Sequence, residues 1–188
     1  MTRRTILSLT LPLAAGLLAA CSGMPGTSGM SRSMAFDQSA LPEAVRVPTG
    51  NRVAMETVGV GEITYECRDR ASGGGQEWVF VGPDAVLNDR AGKRVGRYYG
   101  PPATWESTDG SKVTATQVAV APAAAGSIPL QLVRANPATG SGAMTGVTYI
   151  QRVATRGGVA PAMTCDATSK GKREIVKYQA DYILYKAM

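Results

Sequence analysis

The sequence predicts an all-β fold, either an antiparallel β-sandwich or a β-barrel with long loops. The chain of 188 residues contains 22 glycines and 11 prolines, which suits short strands joined by many turns. Beyond residue 20, valine, threonine and tyrosine are prominent, and these residue types favour strands. Apolar residues also alternate along the chain, as at Ile63, Tyr65 and Cys67, and a period of two is typical of a half-buried strand.

The strands can be placed in order from this alternation and from the turn residues between them. Predicted strands cover residues 52–60, 61–68, 78–81, 104–107, 112–120, 128–134, 146–154 and 173–186. Predicted turns and loops lie at Pro83-Asp84, 88–92, Asp109-Gly110-Ser111, 121–127 and 136–142. The last segment also has a helical spacing of tyrosines, but its tyrosine, isoleucine and valine content favours a strand.

The first twenty residues have the features of an export signal. Arg3 and Arg4 form a basic start, and Ile6 to Ala20 is an apolar run that Pro12 and Gly16 interrupt. A helix needs about 20 apolar residues to span a bilayer, so a membrane anchor is the weaker alternative. The paired arginines also resemble a twin-arginine signal, although a basic start to an ordinary signal explains them as well.

The run ends in Leu18-Ala19-Ala20-Cys21, which fits the lipobox before a lipidated cysteine. The alternative is an ordinary signal followed by a chance cysteine. We therefore expect a signal peptide over 1–20, a lipidated flexible tether over 21–41 and a single β-rich domain over 42–188. Several acyl chains on Cys21 would anchor the protein stably in the membrane. Ser22 after the cysteine favours the outer membrane, with the domain facing the periplasm.

Charge and composition exclude several classes of function. The formal net charge is +6, and loss of Arg3 and Arg4 with the signal leaves +4. The chain has no histidine, which excludes a Ser-His-Asp triad, a Cys-His pair and any histidine metal site. No basic patch interleaved with aromatic residues indicates nucleic-acid binding. No metal or cofactor is expected, and the partners we expect are the membrane, an anionic envelope polymer or another envelope protein.

Two cysteines remain after Cys21 takes the lipid. Cys67 and Cys165 are 98 residues apart, and two cysteines of one domain usually pair in an oxidising compartment. Separate thiols and a zinc site are the alternatives, but zinc would have only two soft ligands here. We therefore expect a disulfide between Cys67 and Cys165.

Several short motifs together resemble the family called domain of unknown function 3455, from about residue 42 to 186. The motifs are Tyr65-Glu66-Cys67, Trp78-Val79-Phe80 before Pro83-Asp84-Ala85-Val86-Leu87, Gly100-Pro101 to Trp105-Glu106, Asp109-Gly110-Ser111, 149–158 with Ala160-Pro161, Cys165-Asp166 and 178–182. The resemblance implies a secreted or lipid-anchored β-rich domain with a cysteine pair, and it implies no activity. Members usually carry a histidine before the Gly-Pro motif, where this chain has Arg97-Tyr98-Tyr99.

One cluster of residues could line a ligand groove, because tyrosine and tryptophan stack on sugars or peptides and charges add hydrogen bonds. The candidate groove residues are Arg97, Tyr98, Tyr99, Trp105, Glu106 and Asp109. The alternative is a core tryptophan flanked by turn residues.

The most direct interpretation of function is a lipid-anchored binding or structural module of the envelope. An enzyme acting on envelope polysaccharide is an alternative, with Glu106 and Asp109 as the nearest carboxylate pair, although Asp109 is placed to cap its own turn. A periplasmic inhibitor of a lytic enzyme is another alternative. A basic domain would be repelled by a basic lysozyme, which argues against that partner.

Overall fold

The computed structural model describes residues 36–188, and the predictions for the signal and for Cys21 lie outside the described residues. Eight strands follow one another: β1 Asn51–Asp69, β2 Gln76–Asn88, β3 Arg94–Tyr99, β4 Thr104–Ser107, β5 Lys112–Ala121, β6 Leu130–Ala135, β7 Val147–Gly157 and β8 Arg173–Ala187. Each strand pairs antiparallel with the next, and β8 pairs with β1. The predicted all-β fold is confirmed, and of its two forms the barrel is the observed one.

The first two predicted strands are a single strand. Residues 52–60 and 61–68 both belong to β1, and the strand continues through Gly59 and Gly61 near their boundary. A Cβ on Gly59 would lie 2.6 Å from the ring of Tyr182, and a Cβ on Gly61 would lie 2.1 Å from the carbonyl oxygen of Asp84. These glycines therefore allow neighbouring groups to approach the strand closely, which explains why glycine occurs inside it.

The predicted turn at Pro83-Asp84 is wrong, because both residues lie inside β2. Thr64 pairs with Gly82 and Tyr65 pairs with Phe80, which leaves one extra residue in β2 as a bulge. Pairing between β2 and β3 starts only at Asp84, so the preceding part of β2 is an edge. Proline is tolerated at bulges and strand edges, and this explains its place here.

Aromatic side chains fill the interior of the barrel. Tyr98 stacks on Trp105 with ring centroids 4.5 Å apart, and Tyr182 lies 4.9 Å and 5.8 Å from these two rings. Aliphatic side chains from the other strands surround them, including Leu87 and Ile150. The interior is therefore a packed core built from one face of each strand.

The segment before β1 lies on the outer wall of the barrel. A short 3-10 helix, Glu43–Val45, buries Val45 completely against the outward-facing Ile183 and Tyr185 of β8. The buried side-chain amide of Gln151 donates to the carbonyl oxygen of Val45 at 2.6 Å. We call residues 36–47 the strap. Residues 36–41 were predicted to belong to the tether, but in the structure they lie in the strap.

The disulfide closes one end of the barrel, which we call the disulfide end. Cys67 on β1 is bonded to Cys165 in the loop between β7 and β8, so the predicted pairing is confirmed. Two side chains donate hydrogen bonds to carbonyl oxygens of the same loop. The indole N–H of Trp78 donates to Met163 and the hydroxyl of Tyr65 donates to Gly158, both at 2.8 Å. The loop is thereby held across this end of the core.

The opposite end carries the start of β1, the end of β8, the turns 89–93 and 108–111, and the loop 136–146. Met144 of that loop is buried in the interior core, so we call this the Met144 end. The predicted hairpin at 109–111 is confirmed between β4 and β5, with Gly110 at a φ of 85°.

Candidate binding site

The six residues of the predicted groove do not lie on one surface. Tyr98 and Trp105 point into the barrel and are 5% and 2% exposed. Arg97, Tyr99 and Glu106 lie on the outer wall, because successive residues of a strand point to opposite faces. The prediction of a single groove from these residues is therefore wrong, and its alternative, a core tryptophan, describes Trp105 correctly.

Asp109 is occupied by the turn that contains it. Its carboxylate accepts hydrogen bonds from the hydroxyl and the N–H of Ser111 at 2.5 Å and 2.9 Å. The second carboxylate oxygen accepts the N–H of Ala143 at 2.7 Å, and the Ser111 hydroxyl accepts the N–H of Met144. These bonds, led by the Ser111 hydroxyl, lower the pKa of Asp109 to about 2. Asp109 therefore fixes the loop that buries Met144.

Replacing Asp109 with asparagine should lower the melting temperature at neutral pH, because an amide cannot accept all of these N–H groups. The pKa of Asp109 is depressed in the folded state, so its contribution is complete above the unfolded pKa and is lost as the pH falls toward about 2. We expect the difference in Tm between wild type and Asp109→Asn to shrink over that range in thermal unfolding by circular dichroism. A difference independent of pH would contradict this role.

The three outer residues of the predicted groove form a charged cluster across β3 and β4. The Tyr99 hydroxyl donates to Glu106 Oε2 at 2.7 Å, and Arg97 Nη2 lies 3.2 Å from the same oxygen. Arg97 also lies over the Tyr99 ring, 4.3 Å from its centroid. The hydrogen bond from Tyr99 and then that from Arg97 lower the pKa of Glu106. Glu106 is thus ionised at neutral pH and is poorly suited to donate a proton.

A depression of about 260 Å³ adjoins this cluster. Its wall is formed by Tyr99, Thr104, Lys112, Thr114 and Pro137. Residues 136–139 reach this position because Thr139 continues the ladder beyond β6 and exchanges two backbone hydrogen bonds with Lys112.

A second depression, of about 390 Å³, lies on the other side of Pro137. It opens where β6 and β7 separate, beyond the cross-strand pair of Arg134 and Tyr149. The guanidinium carbon of Arg134 lies 5.8 Å from the Tyr149 ring centroid, and Nη2 donates to the Tyr149 hydroxyl at 3.4 Å. Among residues 36–188, no carboxylate lies within ion-pair distance of Arg134.

We call these two depressions and the cluster beside them the wall groove. Its polar side chains are Arg97, Tyr99, Glu106, Lys112, Thr114, Arg134 and Tyr149. The groove has three cations, Arg97, Lys112 and Arg134, and a single carboxylate, Glu106. An arginine lies beside a tyrosine ring at each of its two ends. Guanidinium groups bind carboxylates and phosphates through paired hydrogen bonds, and tyrosine rings offer an apolar face with a polar edge. The groove therefore suits an anionic ligand with ring-shaped units.

Arg134 and Tyr149 were missed by the sequence prediction of the site. Both fall in segments predicted as strands, 128–134 and 146–154, but the register between two strands cannot be taken from either segment alone. No three histidine, cysteine, aspartate or glutamate side chains converge on a metal-sized site within the described part of the chain. In residues 36–188, no helix has the length and hydropathy needed to cross a bilayer.

The protein is a small closed β-barrel with the wall groove on its outer face. A family model described as "Protein of unknown function (DUF3455)" matches residues 48–186, and the chain belongs to this family. The resemblance expected from the sequence motifs is confirmed at the level of the family. Neither the curated proteins nor the solved structures contain a match to this chain.

Proposed function

We propose that this chain is a lipid-anchored protein of the cell envelope, attached at Cys21 and facing the periplasm from the outer membrane. In this proposal its barrel binds an anionic envelope polymer along the wall groove. The observation that carries the binding role is the pair of arginine–tyrosine contacts, one at each end of the groove.

The barrel interior offers little room for a ligand, and this supports a site on the outside. Trp105, Tyr98 and Tyr182 occupy the middle of the interior, and Met144 and the disulfide-linked loop cover its two ends. Ligand-binding barrels hold a small molecule in their interior only when side chains leave it open. The two depressions of the wall groove are open to solvent instead.

The charge of the groove selects among ligand classes. Glu106 is already engaged by Arg97 and Tyr99, whereas Arg134 has no acidic partner among the described residues. An acidic saccharide would place a carboxylate or phosphate on Arg134 and the face of a sugar ring on Tyr149. A neutral polymer would leave this guanidinium without a partner, so we favour an anionic one.

Binding to polygalacturonate, a polymer of uronic acids, tests the groove directly. We expect the purified protein to bind polygalacturonate and not neutral dextran of similar length. Arg134→Gln should weaken binding about ten-fold, since one hydrogen bond to a charged group contributes about 1.5 kcal/mol or more.

The matched control is Arg70→Gln, which also removes an exposed arginine, at the disulfide end and 4.0 Å from Glu77. We expect this variant to bind as wild type does in isothermal titration calorimetry. Equal weakening by both variants would show that only net charge matters, and binding of dextran would remove the case for an anionic ligand.

The anchor has a separate test. We expect Cys21→Ser to move the protein from the membrane fraction to the soluble fraction or to leave its leader uncleaved, because the thiol that takes the lipid is gone. Mass spectrometry of the wild-type protein should find an acylated cysteine at its amino terminus. An unmodified thiol at that position would contradict the anchor and leave the groove experiment unaffected.

A further inference from the structure

We infer that the Met144 end of the barrel docks on the head groups of an anionic phospholipid surface. The inference concerns cations at that end, Arg52, Lys93, Arg94 and Lys186, that do not line the wall groove. It rests on the proposed anchor only because the anchor would keep the barrel close to a membrane.

Cations are distributed differently at the two ends of the barrel. At the disulfide end, five cations each lie within 4.0 Å of a carboxylate, and they are Arg68, Arg70, Lys170, Lys172 and Arg173. At the Met144 end Arg90 is paired with Glu56 and Asp181. Four further cations there, all outside the wall groove, have no carboxylate within that distance among residues 36–188, and they are Arg52, Lys93, Arg94 and Lys186. The Met144 end therefore has basic groups available for an external anion.

Two of these cations face each other across neighbouring strands. Arg52 on β1 is the direct partner of Lys186 on β8. Like charges at directly opposed positions destabilise a sheet, and an anionic surface over them would remove this repulsion.

The carboxylates at this end do not neutralise the four cations. Asp89 accepts the N–H groups of Ala91 and Lys93 within its own turn, both at 2.9 Å. Asp109 accepts N–H groups of its turn and of the loop 136–146, as described above. Both carboxylates are directed into the backbone, while the side chains of Arg52, Lys93 and Arg94 are exposed and that of Lys186 is half-buried.

The chain also joins the barrel at this end. The N–H of Phe36 donates to Glu56 Oε1 at 3.0 Å, and Glu56 Oε2 lies 3.0 Å from Arg90 in the turn 89–93. Only fourteen residues separate Phe36 from Cys21, a distance of at most about 50 Å when fully extended. A membrane that holds Cys21 is therefore closer along the chain to the Met144 end than to the disulfide end.

Acetylation of lysines by an amine-reactive ester, read by mass spectrometry, tests this orientation on the complete mature protein. The protein is placed on vesicles of phosphatidylcholine alone or of phosphatidylcholine with phosphatidylglycerol, at low and at high salt. On the anionic vesicles at low salt, we expect Lys93 and Lys186 to react several-fold more slowly, while Lys170 and Lys172 keep their rates. High salt should restore the rates of Lys93 and Lys186, because it screens the attraction.

A pair of matched variants sharpens the test. Arg52→Gln combined with Lys186→Gln should lower the ratio of docked to undocked barrels about 30-fold, at about five-fold for each basic residue near an anionic surface. The protection of Lys93 reports this ratio. Lys170→Gln combined with Lys172→Gln removes two charges from the disulfide end and should leave the protection of Lys93 unchanged.

Three results would overturn the inference. They are equal rates for Lys93 on both kinds of vesicle, equal protection of the lysines at both ends, and protection of Lys93 by soluble polygalacturonate as strong as that by vesicles. Mass spectrometry of Cys21 decides the anchor independently, so failure of the docking surface is distinguishable from failure of the anchor.

Discussion

Replacing Trp105 with alanine should lower the free energy of unfolding by about 3–5 kcal/mol. The indole is 2% exposed and packs against the rings of both Tyr98 and Tyr182. Its removal leaves a cavity in the centre of the core, where the closed sheet limits how far neighbouring side chains can relax. Because small domains are stable by about 5–15 kcal/mol, this single change is expected to bring the protein near its folding threshold. Urea unfolding followed by circular dichroism measures the loss.

Two further variants separate packing from other effects. Among residues 36–188 the indole N–H of Trp105 has no hydrogen-bond partner, so Trp105→Phe should cost less than Trp105→Ala, since it removes an unpaired donor together with part of the ring. Tyr99→Ala, on the outer wall one residue from Tyr98, should change stability far less. If Trp105→Ala unfolded at the wild-type urea concentration, the central place of Trp105 in the core would be contradicted.

Removing the disulfide is the second change with a large expected effect. Cys67→Ala combined with Cys165→Ala should destabilise the protein by about 2–5 kcal/mol, because the bond closes a long loop in the unfolded chain. The sequence separation of 98 residues spans most of the barrel, from β1 to the loop before β8. Urea unfolding of the variant, compared with wild type, measures the difference.

A reducing agent supplies the control for this experiment. It should lower the stability of wild type to that of the double variant and should have no effect on the double variant itself. Hydrogen exchange should also rise in residues 158–172, since the disulfide and the bonds to Trp78 and Tyr65 hold that loop. Unchanged exchange in the loop after reduction would show that those hydrogen bonds suffice without the crosslink.

Much of the fold could be predicted from local patterns. Alternating apolar residues located β8, and Asp109-Gly110 located the hairpin between β4 and β5, because a period of two and a turn residue with positive φ are local requirements. Gly61 and Pro83 misled the prediction, since these residue types usually end strands. In the structure the glycine lets a neighbouring strand approach closely, and the proline lies where β2 has an unpaired edge. Both features depend on strands that are distant in sequence.

The candidate site was harder to predict than the fold. Residues 94–99 were not among the predicted strands, so the sequence analysis did not place Tyr98 on the face opposite to Arg97 and Tyr99. The contact between Arg134 and Tyr149 depends on the register of β6 against β7, and the depression beside it depends on the path of residues 136–146. Neither property is encoded within one strand.

The pairing of β1 with β8 has a consequence for how the chain acquires its structure. Residues 51 to 57 of the first strand pair only with residues 182 to 187 of the last, so the barrel cannot close until β8 has left the ribosome. Such distant pairing makes folding slow compared with helical domains. The barrel of a nascent chain therefore stays open until β8 has been made, and the same delay leaves the earlier strands accessible to cellular factors before the native state forms.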